Sequence, residues 1–145
     1  MMHILIINGP NLNLIGQREP QWYGNVSFEA FLQELQLRFA GTHLEYFQSN
    51  HEGALLDCLH QSGPKADGIV INAGAYAHTS IALADALTAV DKPAIEVHIS
   101  NVFAREPFRH HSYLTARCLG GIVGLGLEGY ALAIAYLLRS LSSPK

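Results

Sequence analysis

Cysteine is scarce in this sequence, two in 145 residues, and Cys58 and Cys118 stand in no CxxC or metal-ligand spacing. A disulfide scaffold and a thiolate zinc site are excluded on number and spacing; the pair is expected as buried thiols in a reducing compartment, with one disulfide between them left open. Charge is sparse as well. Charged residues make up 14% of the chain, and 9 basic against 12 acidic ones leave a net charge of −3 without a long run of either sign. Nucleic acid and anionic membrane are therefore not expected partners. The N-terminal stretch has no cationic segment, and its apolar run, residues 4–7, is too short for a signal peptide, so a cytoplasmic location is expected. Long hydrophobic runs are nearly missing. Residues 119–138, with Glu128 as the sole charge, approach the ~20 residues of a membrane span. Five glycines there (Gly120, Gly121, Gly124, Gly126, Gly129) argue against one helix, and a short buried strand followed by a helix explains the same oiliness.

What is present is apolar side chain, 49% of the residues, in a chain the size of one domain, residues 1–145. Apolar runs bounded by turn residues, at 3–8, around 44–48, at 68–72, 94–99 and 121–125, predict strands. Helical periodicity lies between them: Phe28, Phe31, Leu32, Leu35 and Phe39 after a Ser27 cap; Leu55, Leu56 and Leu59, closed by Gly63 and Pro64; residues 81–90; and residues 127–141. Strands apolar on both faces and alternating with helices predict an α/β fold, a flavodoxin-like three-layer sandwich with a five-stranded parallel sheet.

Ligands of such sheets bind beyond the carboxyl ends of the strands. The polar residues there are Asn8, Asn11, Asn13, Arg18 and Tyr23 after strand one; Ser49, Asn50, His51 and Glu52 after strand two; Asn72, Gly74 and His78 after strand three. Strand four brings Glu96, His98, Ser100, Asn101, Arg105, Arg109, His110 and His111. Five of the eight histidines fall on this edge. Singly, most have an ordinary explanation: Asn8 and Asn13 suit turns, His51 and Glu52 a helix entry, His110 and His111 a helix start or interface. His98 differs, because Glu96 two residues earlier projects from the same face of the strand. A carboxylate beside an imidazole orients it and favours its protonated form, which suits a proton donor.

A metal is not expected in this cluster, which has no HExxH or paired cysteine and is mixed with cationic arginine. "GLGLEG", Gly124 to Gly129, satisfies GxGxxG formally, but only 16 residues follow it (145 − 129), too few for another strand and an acidic ribose partner. Its glycines are expected to allow close helix packing. A flavodoxin-like binding module without chemistry, or an isomerase or hydrolase on the same edge, stays open on residue types alone.

Five blocks in order, "NGPNLNLIGQREPQWYG", "QSNHEG", "GIVINAGAYAHTS", "AIEVHISN" and "REPFRHHSYL", resemble the type II 3-dehydroquinate dehydratases over nearly the whole chain. The departures are Ala73 and Ala77, where the family has Pro and Thr; losing Pro is expected to loosen that turn. The resemblance implies a hydro-lyase of the shikimate route to chorismate and the aromatic amino acids, or of quinate breakdown. Such an enzyme removes water from 3-dehydroquinate to give 3-dehydroshikimate. The resemblance also implies no metal or organic cofactor and a homo-oligomer, a dodecamer built from trimers.

By the same resemblance Tyr23 is the base. A free phenol has a pKa of about 10, and Arg18, five positions earlier, is the cation expected to stabilise the phenolate. The loop that carries both reads as a lid. His98 is the expected acid, oriented by Glu96, and Asn11 is implied to hold a water against the enolate. Ser100, the backbone of Ile99, and Asn72 are implied to bind the substrate carboxylate, and His78 and Arg109 its ring hydroxyls. Arg105 ranks below Arg109, and Asp85 is implied to reach a neighbouring subunit's site.

Overall fold

The computed structural model describes residues 1–17 and 25–143. Five parallel strands, β1 (His3–Asn8), β2 (His43–Gln48), β3 (Gly68–Asn72), β4 (Ala94–His98) and β5 (Gly120–Val123), lie in the order β2-β1-β3-β4-β5. The helices are α1 (Phe28–Arg38), α2 (Glu52–Ser62), α3 (Ile81–Val90) and α4 (Glu128–Ser142).

Strand alternation creates two apolar layers. Ile4 and Ile6 of β1, Val70 of β3 and Val97 of β4 pack with Phe28, Phe31 and Leu35 of α1 and Tyr130, Ile134 and Leu137 of α4. Leu5, Ile7, Ile69 and Ile71 point the other way, onto Leu55 and Leu59 of α2 and Leu83 and Leu87 of α3. Burying each such side chain contributes about 1.5–3 kcal/mol, so both faces hold helices and the sandwich has three layers. The predicted Ser27 cap forms, its hydroxyl accepting from the Ala30 N–H at 3.2 Å. Ser80 caps α3 likewise through the Leu83 N–H.

The oily stretch at 119–138 divides into β5 and α4, and among the described residues no helix is long and apolar enough to cross a membrane. The glycines between them correct the packing expectation in part. Gly124 and Gly126 hold φ +85° and +64°, left-handed turns that side chains resist, whereas Gly129 does permit close packing, against Val97 and Ile122. Cys58 and Cys118 are free thiols; burial pushes the first up to about 11 and the second up to about 12, so neither is a nucleophile at neutral pH.

Candidate active site

The strand order makes the chain leave β1 and β3 in opposite directions, so a crevice opens where those strands end, at Asn8 and its register partner Asn72. The expected turn role for Asn8 is corrected here. Asn8 is fully buried; its Oδ1 accepts from the Tyr130 hydroxyl at 2.7 Å and its Nδ2 donates to the Tyr46 hydroxyl at 3.3 Å. Tyr130 Oη also accepts from Asn72 Nδ2 at 2.9 Å, and Asn72 Oδ1 accepts the Gly74 N–H at 3.1 Å. Helix α4 thus fixes the ends of two central strands and, through Asn72, the turn that carries His78. The turn at Ala73 is closed by the Tyr76 N–H on the Ala73 carbonyl, 3.2 Å, and Gly9 approaches that carbonyl too closely for any side chain.

The cleft above this network holds about 530 Å³, its open mouth included. Asn11, Asn72, His78, His98, Ile99, Ser100 and Arg109 of the expected residues all line it, together with Arg105 and the walls formed by Pro10, Leu12, Ala75 and Val102. Asp85 does not: it is exposed on α3. Arg18 and Tyr23 lie outside the described residues.

Glu96 and His98 form the centre. His98 Nε2 sits 2.7 Å from Glu96 Oε2, both side chains buried at the end of β4. Ser112 Oγ donates to the same oxygen at 2.6 Å, and Thr115 Oγ1 donates to Glu96 Oε1. Burial works to raise the Glu96 pKa, but the hydrogen bonds from His98, Ser112 and Thr115 outweigh it and hold the carboxyl below its ordinary value. A carboxylate only accepts, so Nε2 of His98 carries a hydrogen, and among the described residues Nδ1 makes no hydrogen bond. The second ring nitrogen, Nδ1, is thereby left for a ligand in the cleft that His98 lines.

His78 stacks on His98 with ring centroids 5.8 Å apart. Burial lowers its pKa; the His111 carbonyl opposes this, while His98 and Arg109 add to the lowering. Its Nδ1 faces the His111 carbonyl at 2.7 Å and therefore bears the hydrogen of the neutral ring, leaving Nε2 as an acceptor.

Arg105 occupies a larger place than its expected rank. Its Nη1 donates to Ser100 Oγ at 3.0 Å, which leaves the Ser100 hydroxyl hydrogen to donate elsewhere. Arg109 is braced by Glu106, Nε to Oε2 at 3.2 Å. Asn11 adopts φ 68°, a conformation asparagine tolerates, with its N–H donating to Asn50 Oδ1 at 3.0 Å. Sequence reasoning also passed over Ser112 and Thr115. A hydroxyl in a loop has no distinguishing pattern, and the quoted block around Ser112 was the only signal.

A parallel α/β sandwich whose crevice holds a carboxylate-backed imidazole, a neutral imidazole and two guanidiniums is a flavodoxin-like fold carrying side chains suited to acid–base chemistry. The chain matches the Dehydroquinase class II family model over residues 2–138 and belongs to that family. It is 52% identical over 143 residues to a 3-dehydroquinate dehydratase of Erwinia tasmaniensis, covering 97% of this chain and 95% of the relative. It is 53% identical over 137 residues to a catabolic 3-dehydroquinase of Penicillium rubens, covering 92% and 88%. The crystal structure of type II dehydroquinase from Butyrivibrio crossotus is similar at TM-score 0.91 and 48% identity, over 94% of this chain and 97% of that one.

Proposed function

We propose that this chain is a 3-dehydroquinate dehydratase, a hydro-lyase that eliminates water from 3-dehydroquinate to give 3-dehydroshikimate through an enolate, without metal or organic cofactor. The observation that carries the reading is His98 at the crevice with Glu96 held ionised behind it. Tyr23 takes the proton from the carbon beside the ketone, aided by Arg18, and the electron pair moves onto the carbonyl oxygen. When the enolate collapses to the new C=C bond, the C–O bond to the β-hydroxyl breaks and His98 delivers a proton to the departing oxygen as water. Base and acid assistance of this kind contributes about 10²- to 10⁴-fold each. Asn11 holds the water that meets the enolate.

Ser100, the Ile99 backbone and Asn72 bind the substrate carboxylate, with the Arg105 charge behind Ser100 favouring an anion there. His78, as an acceptor, and Arg109, as a donor, take the ring hydroxyls. Asp85 serves a neighbouring subunit's site in a dodecamer built from trimers. The exposed apolar side chains of Leu119, Leu132 and Tyr136 beside the edge strand β5 support an assembly, and the free thiols support a cytoplasmic location.

The test is direct. Purified chain mixed with 3-dehydroquinate should produce the ultraviolet absorbance of the conjugated enone, and Tyr23→Phe should lower turnover by at least 10²-fold, the lower bound for losing a base, with substrate affinity within tenfold. No enone from the folded wild type sinks the reaction; an active Tyr23→Phe removes Tyr23 alone.

A further inference from the structure

The opposite end of the sheet carries a second cluster that the reaction does not use. His3 opens β1 and His43 opens β2, and the two are register partners, so their side chains leave the same face of the sheet. Glu45, two residues on along β2, shares that face. One ligand atom from each of the three lies within 4.8 Å of the others, and the two imidazole centroids are 4.6 Å apart. The strands, about 3.3 Å per residue, separate this cluster from the active-site cleft.

His3 Nδ1 lies 3.1 Å from the Lys65 carbonyl oxygen and its Nε2 lies 2.9 Å from Glu45 Oε1. Both partners only accept. A neutral imidazole has one hydrogen and can satisfy one of them, leaving a lone pair against an oxygen at the other. A metal on Nε2 would face Glu45 Oε1 and leave the ring hydrogen on Nδ1 for the Lys65 carbonyl. A backbone carbonyl on the far nitrogen is how metal-bound histidines are commonly held, and the non-ligating oxygen of Glu45 is likewise fixed, accepting from Ser62 Oγ at 2.7 Å. His43 adds an imidazole that an ion pair between His3 and Glu45 would not need.

We propose that His3, His43 and Glu45 form a site for a divalent transition metal of the zinc type, with its remaining position open to solvent. Zinc bonds of 2.0–2.2 Å place tetrahedral ligand atoms roughly 3.3 Å apart, so His3 and Glu45 part by a few tenths of an ångström. His43 swings inward, which its exposure allows. Two imidazoles and a carboxylate favour zinc, nickel or copper over calcium or magnesium. The ion would pin the edge strand β2 to β1 and, through Ser62, to the end of α2.

The experiment uses the full chain stripped with chelator and then titrated with Zn²⁺ alone by calorimetry and equilibrium dialysis, with thermal unfolding followed in parallel. The expected result is one tight Zn²⁺ per chain, a higher unfolding temperature with metal, and at least a tenfold loss of affinity in both His43→Ala and Glu45→Gln, with His110→Ala unchanged. His43 is exposed, so His43→Ala should keep its fold, its circular dichroism and its metal-free turnover of 3-dehydroquinate. Zinc binding that both variants retain, or that His110→Ala abolishes, overturns the proposal.

Discussion

Replacing Tyr130 by Phe removes one oxygen from a fully buried side chain and leaves its ring in the core. Among the described residues two polar groups lose this partner: Asn8 Oδ1, at 2.7 Å, and Asn72 Nδ2, at 2.9 Å. Both are buried, Asn8 at 0% and Asn72 at 3% exposed, so neither is readily hydrated in its place. A buried group left unpaired costs about 1–3 kcal/mol, so the variant should lose roughly 2–6 kcal/mol. For a chain of this size each kcal/mol lowers Tm by about 3 °C, giving a fall of roughly 6–18 °C. The effect should also reach the cleft, because Asn72 holds the Gly74 N–H and with it the turn that carries His78. KM for 3-dehydroquinate should rise about tenfold while kcat moves less, the Glu96 and His98 pair resting on a different strand. Thermal unfolding at matched protein concentration and steady-state rates read both. A Tm within 2 °C of wild type would show that the Asn8, Tyr130 and Asn72 bonds are not a structural tie.

Glu96→Gln keeps the shape but turns an –NH₂ toward donors among His98, Ser112 and Thr115; kcat should fall about 10²- to 10⁴-fold with KM within severalfold, and retention of a tenth of the activity would refute the dyad. Arg105→Met should raise KM at least tenfold, about 1.4 kcal/mol, by removing the donor on Ser100 and its charge; an unchanged KM would return Arg105 to a structural role. Stability should fall in acid in two stages at the site, because His78 and Glu96, the cleft groups buried with lowered values, hold pKa values below their unfolded ones. His78 contributes stability above about pH 6.5 that is lost as pH falls toward its lower folded value, and Glu96 contributes stability above about pH 4.5 that is lost as pH falls through its own. Urea midpoints from pH 7 to 3 should lose the first stage in His78→Gln and the second in Glu96→Gln; superimposable curves would contradict the assignment.

The fold was legible because burial on both strand faces writes itself as continuous apolar runs. Strands β1 and β3 and helix α3 match the predicted bounds residue for residue. The last strand ends earlier than predicted, at Val123, where Gly124 turns left-handed; oiliness alone does not register a backbone that has left the ladder. Glu96 and His98 were legible because a strand's period of two is local. The tie from Asn8 to Tyr130 spans 122 positions, and Ser112 and Thr115 reach Glu96 from 16 and 19 residues away. Neither pairing leaves a pattern in one sequence, since each depends on which loop a strand end faces. The contact of Arg105 was not legible for the same reason: its partner Ser100 is five residues away across an irregular turn, where no periodicity says which side chains meet.

The histidines carry the physical lesson furthest, because one side chain meets three partner sets and acquires three different capacities. At His98 the carboxylate holds one nitrogen and nothing described holds the other, so that second nitrogen is left for a ligand. At His78 a carbonyl holds one nitrogen while cationic neighbours and burial disfavour charge, so the ring stays neutral and accepts. At His3 acceptors face both nitrogens, the Lys65 carbonyl at one and the Glu45 carboxylate at the other. Moving a carboxylate from the side of His98 to that of His78 would exchange their roles without changing either residue. Function on this sheet is therefore set by what the strand ends bring to the second nitrogen of each ring.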